Sequence, residues 1–170
     1  MSKPHDLEKD PRATLFETFD DVRAGMLGLV SSGSLMQPMT HFADAKEGVI
    51  WFITSRETDL SKEIGQGASA QYSLVGKKHD LHAALAGRIT PSDDQAKLDE
   101  LWSPVVAAWF EGGREDPNVQ LLRFAPSTAK VHASTGSAVH FGIEIARANL
   151  SEDHQPDVGE VAVIDFPRAA

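Results

Sequence analysis

From residue 26 to residue 90 the chain is a succession of short apolar runs broken by turn signals, with room for a single helix among them. A doubly wound parallel sheet needs a helix between most of its strands, so that architecture is excluded. What remains is an antiparallel barrel or sandwich with few helices, a mainly β class. The runs over 26–31, 35–42, 49–54, 68–75 and 81–90 read as strands. Ser32-Gly33-Ser34, the stretch 43–48 and Gly76-Lys77-Lys78-His79 read as their turns. The helix among them covers 58–66: Thr58 or Asp59 caps it, Leu60 and Ile64 form an i,i+4 apolar pair, and Gly65 and Gly67 stop it.

Helical spacing returns on both sides of this region. Leu15, Phe19, Val22 and Met26 share one face, which predicts a helix over 13–24 ended by Gly25. After Pro91 a second stretch repeats Leu98, Leu101, Trp102, Val105, Val106, Trp109 and Phe110 at three- and four-residue intervals. Ser103-Pro104 interrupts it, and Ser at the cap with Pro at the first helical position predicts two consecutive helices. The runs 118–124 and 130–132 return to strand, and 160–166 supplies a last one beyond an acidic linker at 151–159. The expected organisation is a flexible tail at 1–12, one domain at 13–134, and a C-terminal extension at 135–170.

Sixteen basic against 25 acidic side chains give a formal charge of −9. That balance argues against generic nucleic-acid binding, which needs a basic face for phosphates. With no cysteine, thiolate chemistry and disulfides are excluded. No apolar run approaches the roughly 18 residues of a membrane span. The first fifteen residues lack a signal-peptide core, so the expected location is cytoplasmic.

Three places invite a ligand. The segment WFITSRETDLSKEI runs from a strand through a short loop into a capped helix. Unpaired N–H groups at such a start attract phosphate. Thr54, Ser55, Thr58 and Ser61 add hydroxyls, and Arg56 and Lys62 add charge. The same pattern also suits a capped surface helix with a solvated lysine. Pro38 interrupts an otherwise good strand, which makes that strand an edge or a bulge. It frees the backbone of Gln37, Met39 and Thr40 for a ligand, or serves as protection against edge pairing. Trp102 and Trp109 lie seven apart, on one face if the helix were continuous, and suit either core or the cover of a flat ligand. His79 and His82 lack a third metal ligand, and no Gly-x-Ser-x-Gly elbow is present, so neither a metal nor a serine triad is expected.

In order, Gln37-Pro38-Met39, Gly48 to Thr54, Lys62-Glu63-Ile64, Gly87-Arg88-Ile89, Leu101-Trp102-Ser103-Pro104, Ala108-Trp109-Phe110, Asp116-Pro117-Asn118 and Leu121-Leu122-Arg123-Phe124 resemble the pyridoxamine 5'-phosphate oxidase-like flavin proteins, in the general stress protein 26 branch. The resemblance spans about residues 16–131. It implies a six-stranded FMN-binding split barrel, a homodimer, and one FMN per subunit at the interface. The strand at Gln37, Pro38, Met39 and Thr40 would lie along the isoalloxazine ring. Phe52, Ile53, Thr54 and Ser55 would meet ring and ribityl chain, partly through backbone. Thr58, Ser61 and Lys62 would hold the phosphate, and His82 and Trp109 would come from the partner chain. Gln37 replaces an arginine usual in the family, a Tyr-Trp-Asp near 131–133 is missing, and the C-terminal residues that recognise pyridoxal phosphate have no counterpart. Vitamin B6 oxidation is therefore not expected. The implied function is a flavin-dependent oxidoreductase of unknown substrate. The alternatives are a non-enzymatic flavin- or haem-binding module and a cofactor-free dimeric stress protein.

Overall fold

A computed structural model describes residues 7, 9–30, 32–134 and 159–167. Most of the expected linker at 151–159 and most of the N-terminal tail lie outside the described residues. The backbone forms one eight-stranded antiparallel sheet, ordered β2-β1-β5-β6-β7-β4-β3, with β8 added to β7. The strands are β1 (Ala24–Leu29), β2 (Gln37–Thr40), β3 (Phe42–Asp44), β4 (Val49–Ser55), β5 (Ala68–Val75), β6 (Leu81–Ser92), β7 (Val119–Ser134) and β8 (Gly159–Asp165). The split-barrel class is as expected. Eight strands replace six because the run at 35–42 divides at His41 and β8 pairs along β7.

The helices are α1 (Pro11–Asp21), α2 (Asp59–Ile64), α3 (Gln95–Leu101) and α4 (Pro104–Ala107), with a 3-10 turn at Gly113–Glu115. α1 begins two residues before the expected 13. Asp10 caps it by accepting from the Ala13 N–H, and Pro11 takes the first position, where its missing donor costs nothing. It also ends earlier, and Gly25 belongs to β1: a Cβ there would lie 2.7 Å from the Tyr72 hydroxyl, so only glycine lets Tyr72 pass beneath. The Ser103-Pro104 restart is found as expected, with the Ser103 hydroxyl accepting from the Val106 N–H.

The runs 118–124 and 130–132 are parts of one strand, β7, despite Pro126 between them. β4 pairs with β7 up to Phe124 and β8 pairs from Thr128 onward, so Pro126 falls in the gap where no neighbour needs its N–H. On the other side β6 is irregular at Ala86/Gly87, opposite Pro126. Gly87 is required there, because a Cβ would lie 2.2 Å from the Ala125 carbonyl oxygen.

Two apolar clusters result. The larger fills the barrel with Phe19, Ile50, Phe52, Tyr72, Leu85, Leu122 and Phe124. The smaller sits on the other face of β4 and β7, where Val49, Trp51 and Leu121 meet Leu98 of α3. Alternation along β4 sends Phe52 to the first cluster and Trp51 to the second. Arg12 lies against the rings of Phe16 and Phe166 and donates to the Ala45 carbonyl, tying α1 to the residue after β8. No helix among the described residues is long and apolar enough to cross a membrane.

Candidate functional site

The barrel is split where β2 leaves β4. In the β3–β4 ladder Phe42 stands opposite Trp51. Continued in register, that ladder would bring Thr40 to Ile53 and Pro38 to Ser55. It stops at His41 instead, and β2 pairs with β1, with Pro38 opposite Met26 and Thr40 opposite Ala24. β4 pairs with β7 through Ser55 but, among the described residues, has no strand partner on its other edge after Trp51. Gln37–Thr40 and Phe52–Ser55 therefore present two ladder edges to one another across a split. Unpaired backbone donors and acceptors on both walls suit a flat ligand with amide-like edges.

The break has visible causes. Pro38 offers no N–H to a second neighbour. His41 is buried, with Nε2 2.9 Å from the Phe19 carbonyl of α1 and Nδ1 2.7 Å from the Tyr72 hydroxyl. The Tyr72 hydroxyl donates to the Met39 carbonyl at 2.9 Å. Burial lowers the His41 pKa below its ordinary value, against the opposing pull of the Phe19 and Val22 carbonyls and Asp20. Burial likewise pushes the Tyr72 phenol up, so it stays protonated. Neither residue stands out in the sequence; the signal was a histidine inside the run Met39-Thr40-His41-Phe42.

The residues singled out by sequence fall into separate groups. Gln37 is half-buried beside the Met39 sulfur and, with Asp59 and Glu63 of α2, lines a cleft of about 150 Å³ next to the Ser32–Leu35 loop. The Phe52 ring is wholly in the core, edge-on to Tyr72 at 5.1 Å, so only its backbone reaches the split. Ile53 packs against the second cluster, and Thr54 stands opposite Gln120. Gln120 is buried and its Oε1 has no hydrogen-bond partner among the described residues; sequence reasoning missed it. The hydroxyls of Thr58 and Ser61 close the β4–α2 turn on the Ser55 carbonyl, at 2.9 and 2.7 Å, and Thr58 caps α2 by accepting from the Ser61 N–H. They reinforce the turn rather than point outward. Lys62 is exposed and makes no ion pair among the described residues.

His82 and Trp109 are not at the split of their own chain. His82 lies on the outward face of β6, directly opposite His132 of β7. β6 is three strands from β2, about 14 Å at the usual strand spacing. Trp109 follows α4 and is 82% exposed, so most of its ring faces away from the described residues of its own chain. Trp102 faces the other way, into the second cluster, 5.9 Å from Phe110. The two tryptophans do not share a helix face because α3 ends at Leu101 and α4 restarts at Pro104.

The outward face of the sheet carries several exposed apolar side chains among polar ones. Pro38, Met26, Ser73, Ala84, Lys130 and Val163 form one registered row from β2 to β8. Val75, His82, His132 and Val161 form part of the next. Met26, Val75, Val161 and Val163 are between 39% and 64% exposed. Antiparallel sheets normally turn polar side chains to water, and these four side chains depart from that pattern.

Comparison with known proteins places this geometry. The chain matches the family described as Pyridoxamine 5'-phosphate oxidase like over residues 10–157. A protein described as general stress protein 26 from Jannaschia sp. CCS1 is 39% identical, with 91% of this chain and 99% of that one covered and a TM-score of 0.72. A general stress family protein from Xanthomonas campestris pv. campestris is 34% identical over 81% of this chain and 93% of its own, TM-score 0.70. The general stress FMN/FAD binding protein from Xanthomonas citri is 38% identical over 69% and 84%, TM-score 0.62. No curated protein matches.

Proposed function

Because the chain belongs to the pyridoxamine 5'-phosphate oxidase-like family, in its general stress protein 26 branch, we propose that it binds FMN in the β2–β4 split and serves as a flavin-dependent oxidoreductase. The observation that carries this reading is the pair of unpaired ladder edges, Gln37–Thr40 and Phe52–Ser55, facing one another. A heteroaromatic with an imide edge satisfies such walls without side-chain chemistry.

The residues present fit the group, with one weak corner. The buried Gln120 Oε1 next to Thr54, unpartnered among the described residues, calls for a donor, which a ribityl hydroxyl would supply. Among the described residues Lys62 has no carboxylate partner, and it lies beside the α2 turn, suited to a phosphate. Gln37 adds no charge, and the Thr58 and Ser61 hydroxyls are already engaged within the turn. The phosphate grip therefore rests on Lys62, the neighbouring Arg56 and backbone donors. Bound FMN supplies hydride acceptance at its N5 atom. The protein's part is to fix the ring between two rigid edges and to exclude water.

A second copy completes the site in this reading. Pro38, Thr40 and His82 share one face but lie about 14 Å apart across the sheet. A two-fold partner packed on that face brings its own His82 and Trp109 over the split and buries the exposed valines. The weak phosphate corner supports one second reading, a carrier that binds flavin reversibly without turnover.

Purified protein titrated with FMN, followed by flavin fluorescence quenching and the visible spectrum, tests the proposal. Lys62→Ala is expected to weaken binding about tenfold to a hundredfold, from the roughly 1.5–3 kcal/mol of a charged hydrogen bond. Protein that stays colourless and leaves FMN fluorescence unchanged refutes it.

A further inference from the structure

We propose that His41 and Tyr72 form a proton-operated latch that binds or releases the Met39 carbonyl of β2, at the point where the barrel splits. The argument is a count of hydrogens. Three contacts lie in a row: Phe19 carbonyl to His41 Nε2 at 2.9 Å, His41 Nδ1 to Tyr72 hydroxyl at 2.7 Å, and Tyr72 hydroxyl to Met39 carbonyl at 2.9 Å. Both end groups are carbonyls, which only accept. Each contact therefore needs its own hydrogen, three in all.

A neutral imidazole and a phenol carry two. With the imidazole hydrogen on Nε2, the Tyr72 hydrogen must turn to Nδ1, and the Met39 carbonyl loses its donor. With it on Nδ1, the bare Nε2 faces the Phe19 oxygen, lone pair against lone pair. An imidazolium supplies the third hydrogen and completes the row. Starting from the Nε2–H tautomer, which keeps the Phe19 hydrogen bond, proton uptake by His41 hands the Tyr72 hydrogen from the imidazole to β2.

The surroundings let the latch work and keep it local. The His41 ring stands edge to face with Phe19 at 4.8 Å and with Tyr72 at 5.8 Å, Phe19 and Tyr72 stack at 6.1 Å, and all three are buried; the Gly25 N–H also bonds the Tyr72 hydroxyl, but as a donor, so it adds no acceptor to the row. Asp20 on α1 is the charged group whose field reaches the ring and favours the cation, while Tyr72 on β5 is the other titratable partner and stays protonated. Desolvation opposes the cation, so the imidazole is neutral at pH 7 and the latch closes on acidification below the ordinary histidine value of about 6.5.

The consequence for the flavin site rests on the function proposed above. Met39 belongs to the strand forming one wall of the split, so acid pH stiffens that wall. In unliganded full-length protein, NMR follows the His41 imidazole nitrogens together with the Met39 carbonyl carbon and the Thr40 amide across pH 7.5 to 4.5, a range chosen about the usual histidine value. The Met39 and Thr40 signals are expected to titrate with the His41 midpoint in the wild type. They are expected to stop doing so in Tyr72→Phe, in which His41 still titrates, and in His41→Gln. Met39 and Thr40 signals that ignore the His41 midpoint, or follow it equally in Tyr72→Phe, overturn the latch. A separate FMN titration at both pH limits reads the flavin consequence. Failure of FMN to bind at either pH removes the flavin proposal and leaves the NMR result to stand by itself.

Discussion

Replacing Gly87 by alanine tests the account of how the central ladder tolerates a proline. A Cβ at residue 87 would lie 2.2 Å from the Ala125 carbonyl oxygen and 2.6 Å from the Pro126 Cα. Comfortable carbon contacts lie at about 3.5–4.0 Å, so β6 and β7 must part by about 1 Å. The obstructing atoms are backbone, and no rotamer can yield. Overpacking of this kind costs about 1–3 kcal/mol and here sits at the upper end. Reduced freedom of the unfolded chain returns about 0.4–1 kcal/mol, leaving a net loss of about 2–3 kcal/mol. For a chain of 170 residues that lowers Tm by about 5–10 °C. Gly33→Ala is the control, because a Cβ there meets nothing within 4 Å. Thermal unfolding followed by circular dichroism measures both. A Gly87→Ala protein that melts within about 1 °C of the Gly33→Ala control refutes the close approach of the two strands.

Asp10→Ala removes the α1 cap and is expected to cost about 1 kcal/mol in urea unfolding, with an unchanged m-value. Asp44 is held below the ordinary carboxylate range first by the Glu47 N–H and then by Lys97 at 3.4 Å. Its folded pKa lies below the unfolded value of 3.8, so its stabilisation is full above that pH and is lost as pH falls through the folded value. Melting curves of wild type and Asp44→Asn should differ near neutral pH and converge in strong acid; a gap that persists unchanged into strong acid contradicts the assignment. Val163→Asp places a charge on the outward face, where a valine covered by the proposed two-fold partner would contribute about 1.5–3 kcal/mol, and on that proposal it should shift sedimentation from dimer toward monomer while leaving the monomer folded. A wild type that sediments as a monomer at all concentrations removes the two-fold arrangement.

Local chemistry was legible where one residue decides one geometry. Ser103-Pro104 announced the α3–α4 restart, and the boundaries of β5 follow from alternation between Ala68 and Val75. Pro38 announced an edge, and β2 is one. The reading failed where the deciding partner is distant in sequence. Nothing near Pro126 says that β4 ends and β8 begins on either side of it, so β7 looked like two strands. His41 divides the run at 35–42 because Phe19 and Tyr72 hold it, which only the folded chain shows. The orphaned Gln120 and the juxtaposition of His82 with His132 depend on ladder register for the same reason. Thr58 and Ser61 were correctly placed at a helix start, but their hydroxyls bond inward to Ser55.

β8 gives the molecule an order of assembly. During synthesis β7 emerges well before residues 159–165, and its 128–134 edge must wait bare until they arrive. That edge carries Ala129, Val131 and Ala133, a sticky template for any neighbouring nascent chain. Arg12, already folded into α1, waits with Phe16 for Phe166 to complete its stack. A ribosome stalled before residue 159 would therefore hold a barrel open along one seam, and chaperone capture at that seam is the expected fate of the incomplete chain.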